Sequence, residues 1–152
     1  MIYTDLTRKA MQVAYDAHHG QVDKQGVPYI LHPVHLAEQM ETEDECVVAL
    51  LHDVVEDTEI TFDELAGYGF TEVQLEAVKI LTHKTDKSLK TEEERERDYL
   101  EYVKKIRDNP LARKVKLADL EHNSDLSRLS SVSETELKRN KKYEKAKQIL
   151  LT

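Results

Sequence analysis

The sequence has no tryptophan, one cysteine, three prolines and four glycines in 152 residues. The lone Cys46 excludes an internal disulfide, and it points to a reducing compartment, the cytoplasm. So few glycines and prolines leave few places where a helix must stop, which favours a helical protein. No apolar run approaches the roughly 18 residues that a membrane span needs. The longest, Cys46 to Leu51, is ended at once by His52 and Asp53. Met1-Ile2-Tyr3-Thr4-Asp5 has neither the basic nor the apolar region of a signal peptide. Positive charge is also short. Lys+Arg total 22 against 30 Asp+Glu, a formal net charge of -8. That balance lacks the basic surface of a protein that lives on nucleic acid or an anionic membrane. The expectation is a single domain, residues 1–152, with a core of useful size.

What is abundant is helix punctuation. A Ser or Thr followed three residues later by Glu or Gln can satisfy two orphan amides reciprocally at a helix start. Thr42/Glu45, Thr61/Glu64, Thr71/Gln74, Thr91/Glu94 and Ser133/Glu136 fit this pattern, each before apolar residues at helical spacing. Asn109-Pro110 marks a sixth start. The spacing predicts helices over 5–17, 33–40, 43–55, 61–66, 71–81, 92–107, 110–122 and 134–151, with loops over 20–31 and 83–90. The fold class is all-α.

The chemistry concentrates in Leu50-Leu51-His52-Asp53-Val54-Val55-Glu56-Asp57-Thr58. Two ionisable residues follow the most apolar segment, and burying them costs several kcal/mol unless each finds a partner. A divalent metal is one such partner, because neutral imidazole and carboxylate are both metal ligands. If the helix continues, Glu56 lies one turn beyond His52 and Asp57 one turn beyond Asp53. Taken alone, a His-Asp pair reads sooner as a frayed helix end with surface acids. His32, in Pro28-Tyr29-Ile30-Leu31-His32-Pro33, and Asp119, in Val115-Lys116-Leu117-Ala118-Asp119-Leu120-Glu121-His122-Asn123, change that balance. The order His, His-Asp, Asp on separate helices is the pattern of the HD superfamily of metal-dependent phosphohydrolases.

With the flanking block Ala17-His18-His19-Gly20-Gln21-Val22-Asp23-Lys24-Gln25-Gly26-Val27-Pro28-Tyr29-Ile30-Leu31-His32-Pro33, the chain resembles the hydrolase domain of RelA/SpoT-family alarmone enzymes, the small stand-alone hydrolases above all. The resemblance runs from the first helix to about Leu129, and the Glu56-Asp57 pair is its most discriminating element. It implies an HD-domain helical bundle and a Mn²⁺ site made by His32, His52, Asp53 and Asp119. It implies removal of the 3′-pyrophosphate of guanosine tetra- or pentaphosphate, with Glu56 and Asp57 activating or orienting water. It also implies nucleotide contacts from Lys24 and Asn123, and phosphate contacts from Thr82 and Lys84. The family's long members add synthetase and regulatory domains, so hydrolysis alone is expected here.

The implied chemistry is self-consistent. A bound cation polarises a phosphoryl oxygen and acidifies water, and a nearby carboxylate can take the proton. Two His with two carboxylates suit Mn²⁺, Fe²⁺ or Zn²⁺ alike. The partner is a small-molecule nucleotide. Where family members commonly carry a basic residue before Lys24, this chain has Asp23, expected to face and repel a polyphosphate. The alternatives are therefore an HD phosphohydrolase for another nucleotide such as NADPH, or a non-catalytic nucleotide-binding regulator. Of the other residues, His18, His19, His35, His83 and His122 read as structural or surface histidines. Tyr29 reads as packing beside Pro28, Arg128 as an exposed helix-end cation, and Lys138 to Lys142 as a solvated face.

Overall fold

Side-chain caps set most helix starts in the computed structural model, which describes residues 1–152. Thr42 caps α3 (Glu43–Leu51) by accepting from the Glu45 amide at 3.1 Å, while Glu45 accepts from the Thr42 amide at 3.2 Å. Thr71 and Gln74 close the same reciprocal box on α6 (Glu72–Leu81). Thr61 and Thr91 cap α5 (Phe62–Ala66) and α7 (Glu92–Arg107) with the hydroxyl alone. There Glu94 accepts instead from the Lys90 amide. Asn109 caps α8 (Pro110–Asn123), and the Ser133 amide donates to Glu136 at the start of α9 (Glu134–Leu151). α1 (Asp5–Ala17) starts with a box that the Glu/Gln pattern misses, because Thr7 takes the acidic residue's place opposite Thr4.

Two predicted boundaries shift. The helix expected over 33–40 is α2 (Leu31–Glu38). The helix expected over 43–55 breaks at His52-Asp53 and resumes as α4 (Val54–Asp57). Asp53 lies at φ -107° and ψ 0°, outside the helical basin. Neither glycine nor proline causes this break, so nothing in the local sequence announces it.

Cys46, Val47, Val48, Ala49, Leu50 and Leu51 have no exposed surface, so α3 is buried all round. It touches α1, α2, α6 and α8, while α7 and α9 pair with each other and both touch α8. Burying each Leu or Val here stabilises the fold by roughly 1.5–3 kcal/mol against the ordering entropy. Twenty-five buried apolar residues form one cluster around it. No strand is present. An isolated antiparallel bridge between Val22 and Pro28 closes the loop before α2, turned by Gly26 at φ +80°. That loop, α2, the α3–α4 break and α8 meet at one end of the buried helix, where the ionisable residues collect. No helix is long and apolar enough to cross a membrane.

Candidate metal centre and active site

His32, His52, Asp53 and Asp119 each present one ligand-type atom, all within 4.8 Å of one another. His32 and His52 are 6% and 3% exposed, and Asp119 is 5% exposed. The α3–α4 break makes this possible, because it lets two consecutive residues aim at one point. His52 shows what the point requires. Its Nδ1–H donates to the Ala49 carbonyl at 2.6 Å, which leaves a lone pair on Nε2. That buried Nε2 has no hydrogen-bond partner and sits 2.9 Å from Asp53 Oδ2 and 3.6 Å from Asp119 Oδ1. Three acceptors face one another, so something positive belongs between them. Burial pushes the His52 imidazole down, but the Asp53 and Asp119 carboxylates raise it well above its ordinary value. A proton answers that demand, and so does a divalent cation. The donor set, two imidazole nitrogens and two carboxylates, fits a first-row metal.

The surroundings orient each of these atoms. His32 Nε2 lies 2.9 Å from Asp119 Oδ1, and His32 Nδ1 lies 2.7 Å from His122 Nδ1. Burial and the nearby Arg128 push His122 down to about 4, so its ring is neutral near pH 7. Donation from His32 Nδ1 to His122 leaves His32 Nε2 free for a ligand. The Tyr29 hydroxyl donates to Asp53 Oδ2. Lys116 Nζ, 12% exposed at the side chain, lies 3.0 Å from Asp119 Oδ2. Burial alone would raise Asp119, but Lys116 holds it well below the carboxylate range. Lys116 also lies 5.7 Å and 5.4 Å from the Tyr99 and Tyr102 ring centres. Asn123 Nδ2 donates to Asp119 Oδ1 at 3.0 Å.

Glu56 and Asp57 follow at the rim, with Asp53 forming a second acidic group. The Asp57 amide bonds the Asp53 carbonyl at 2.9 Å, so the one-turn relation survives the helix break. Partial burial pushes Glu56 up to about 7 despite the His83 amide, which donates to its Oε1 at 2.6 Å. The charges of Asp53 and Asp57 push the same way. Burial and Asp53 also raise Asp57. Gln21 donates to the Asp57 carbonyl at 2.8 Å and is itself held by His18 Nδ1 at 2.8 Å.

The substrate-contact residues are dispersed. Asn123 lines a cavity of about 400 Å³ against Tyr29 and His32. Lys24 is exposed on the loop before it. Thr82 and Lys84 line a separate cavity of about 540 Å³ that includes His83, the residue whose amide holds Glu56. The Thr82 hydroxyl is spent on the Val78 carbonyl at 2.8 Å. Tyr29, His122 and Lys116 are functional neighbours that sequence reasoning passed over. Lys116 had a signal, since it lies three residues before Asp119 inside an apolar block. Arg128 is not a free helix-end cation, as it faces Asp23 across 3.7 Å. Lys138, Arg139, Lys141 and Lys142 line a cleft between α7 and α9.

No family model matches the chain. It is 35% identical over 135 residues to guanosine-3′,5′-bis(diphosphate) 3′-pyrophosphohydrolase MESH1 of Danio rerio, covering 82% of this chain and 71% of that protein. It is 47% identical over 62 residues to the bifunctional (p)ppGpp synthase/hydrolase SpoT of Escherichia coli, 38% of this chain but only 9% of that longer protein. A solved structure of a metazoan orthologue of SpoT that hydrolyses ppGpp superposes with a TM-score of 0.78 at 26% identity, over 99% of this chain and 88% of that one.

Proposed function

The chain belongs to the family of guanosine-3′,5′-bis(diphosphate) 3′-pyrophosphohydrolases, and on that premise we propose that it hydrolyses the 3′-pyrophosphate of guanosine 3′,5′-bis(diphosphate). His32, His52, Asp53 and Asp119 would hold a divalent cation, Mn²⁺ in our reading, with Fe²⁺ and Zn²⁺ compatible with the same donors. When bound, the cation supplies Lewis acidity toward phosphoryl oxygen and a more acidic water. The observation that carries the reading is the pairing of this buried cluster with a carboxyl group poised near 7 at its rim.

Glu56 takes the proton from the attacking water. A base with an affinity near the working pH is deprotonated often enough to act and basic enough to accept. Asp57 orients the same water, and its charge helps to keep Glu56 basic. Water oxygen attacks the proximal phosphorus of the 3′-diphosphate, the bond from that phosphorus to O3′ breaks, and the 3′-oxygen leaves as a hydroxyl after gaining a proton. Tyr29, Lys116 and His122 hold the ligand atoms still, and Gln21 fixes the backbone of Asp57. Lys24 and Asn123 meet the nucleotide on one side, and Thr82 and Lys84 meet phosphate near Glu56 on the other. The same reading takes residues 1–152 as one hydrolase domain working in the cytoplasm on a small nucleotide, without nucleic acid or membrane partners.

The test is a product assay on Mn²⁺-loaded protein. Pyrophosphate release from guanosine 3′,5′-bis(diphosphate) is expected. Orthophosphate release from NADPH, with no turnover of the alarmone, replaces this reading with the other nucleotide phosphatase.

A further inference from the structure

The cavity of about 400 Å³ beside His32 and Tyr29 has a mixed lining. Part of it is apolar: Val27, Pro28 and Leu31, with Val27 and Leu31 40% and 53% exposed. The lining also includes Arg128, the cavity's only lysine or arginine. Its guanidinium is held from both ends. Nη1 donates to the His122 carbonyl at 2.8 Å, and Nη2 lies 3.7 Å from Asp23 Oδ2. The remaining guanidinium donors bond no protein acceptor. Asp23 is itself anchored, since its Oδ1 accepts from the Gln25 and Val27 amides at 2.8 Å and 3.0 Å. Asp23, which itself lines the cavity, is thus a loop-building residue that also faces Arg128.

We propose that Arg128, latched by Asp23, is the residue through which this chain selects guanine. The proposal rests on the functional reading above. A lone cation would favour phosphate, but this pair is charge-compensated and shares its cavity with Val27, Pro28 and Leu31. A polyanion gains little there. A neutral planar heterocycle gains the apolar contact and can accept from the guanidinium. Guanine offers two acceptors, O6 and N7, spaced for the planar fork of an arginine, whereas adenine places a donor in the O6 position. Arg128 reads that edge, and Asp23 is the positioning residue that keeps the fork in the cavity.

The experiment compares guanosine and adenosine 3′,5′-bis(diphosphates) as substrates of the Mn²⁺-loaded wild type, Arg128→Gln and Arg128→Lys. The wild type is expected to prefer guanosine. Arg128→Gln should raise KM for the guanosine compound about 10-fold or more beyond any change it causes with the adenosine compound. Arg128→Lys should give no rescue, because a point charge lacks the fork. Equal losses on both substrates, no loss on either, or full rescue by lysine overturns the proposal. If the wild type releases pyrophosphate from neither compound, the functional reading has failed instead. Titration calorimetry with GDP and ADP then decides the present point. A GDP preference lost in Arg128→Gln supports it, and equal affinities overturn it.

Discussion

The two Nδ1 atoms of His32 and His122 lie 2.7 Å apart, and only one of them can carry the proton. Donation from His32 to His122 points that proton away from the cluster. His32 Nε2 is then free to bind a cation. His122→Ala should weaken Mn²⁺ binding about 10–100-fold, read by titration calorimetry, with little change in helicity. Unchanged affinity would mean that the neighbouring ring has no orienting role.

Lys116 is a buried cation whose carboxylate partner is Asp119. Lys116→Met removes the largest offset to the buried Asp119 charge and leaves only Asn123, His32 and His52 beside it. The metal-free protein should lose about 3 kcal/mol, roughly 6–12 °C in Tm. A bound divalent cation replaces the missing charge, so added Mn²⁺ should raise Tm more in Lys116→Met than in the wild type. Equal Mn²⁺ increments in the two proteins would sink this account.

Glu56 gives a pH signature with a definite sign. Its folded value, about 7, lies above the unfolded value of 4.5. The folded state therefore binds the proton more tightly, and its contribution to stability is present at low pH and lost as pH rises through about 7. Glu56→Gln should raise the Tm of the metal-free protein at pH 8 and not at pH 4. In turnover the same residue must be deprotonated, so kcat/KM should rise with pH to a plateau, with a midpoint at or below about 7. Glu56→Gln should cost about 10²–10⁴-fold in kcat and flatten that limb. A limb that survives the substitution assigns the proton transfer elsewhere.

Asp119 and Asp57 should separate binding from rate. Asp119→Ala removes a buried ligand atom, and the protein should retain no stoichiometric Mn²⁺ after gel filtration. Asp57→Ala should keep the metal and lose about 10²-fold in kcat. Elemental analysis beside the pyrophosphate assay reads both outcomes. Metal and turnover both intact in Asp119→Ala would refute the ligand assignment.

Helix existence was legible in the sequence wherever a cap residue precedes a periodic apolar stretch, as at Thr42, Thr71 and Asn109. The cluster residues were legible because His52-Asp53 and Asp119 are charged groups inside apolar segments, where burial demands a partner. Other features were not legible, for physical reasons. The break between α3 and α4 uses no helix-breaking residue and falls at Asp53, which meets Tyr29 and His52 in the cluster. Tyr29 and His122 reach the cluster across 24 and 90 residues of chain, to Asp53 and His32. No local pattern encodes such distances. Asp23 lines the cavity beside His32, but composition records a charge and not its partners. Its oxygens turn toward two loop amides and Arg128, a fact that only the folded loop contains.

The cluster is also a knot in the chain's topology. His32 and Asp119 touch although 87 residues separate them, and α2, α3 and α8 each contribute to one small volume. Closing so long a loop is entropically costly, so the constellation exists only once those three helices have docked. A ligand that binds it binds the native state alone and draws on global unfolding equilibria. Occupancy of a few cubic ångströms should therefore slow amide exchange throughout the buried helix, far from any atom the ligand touches.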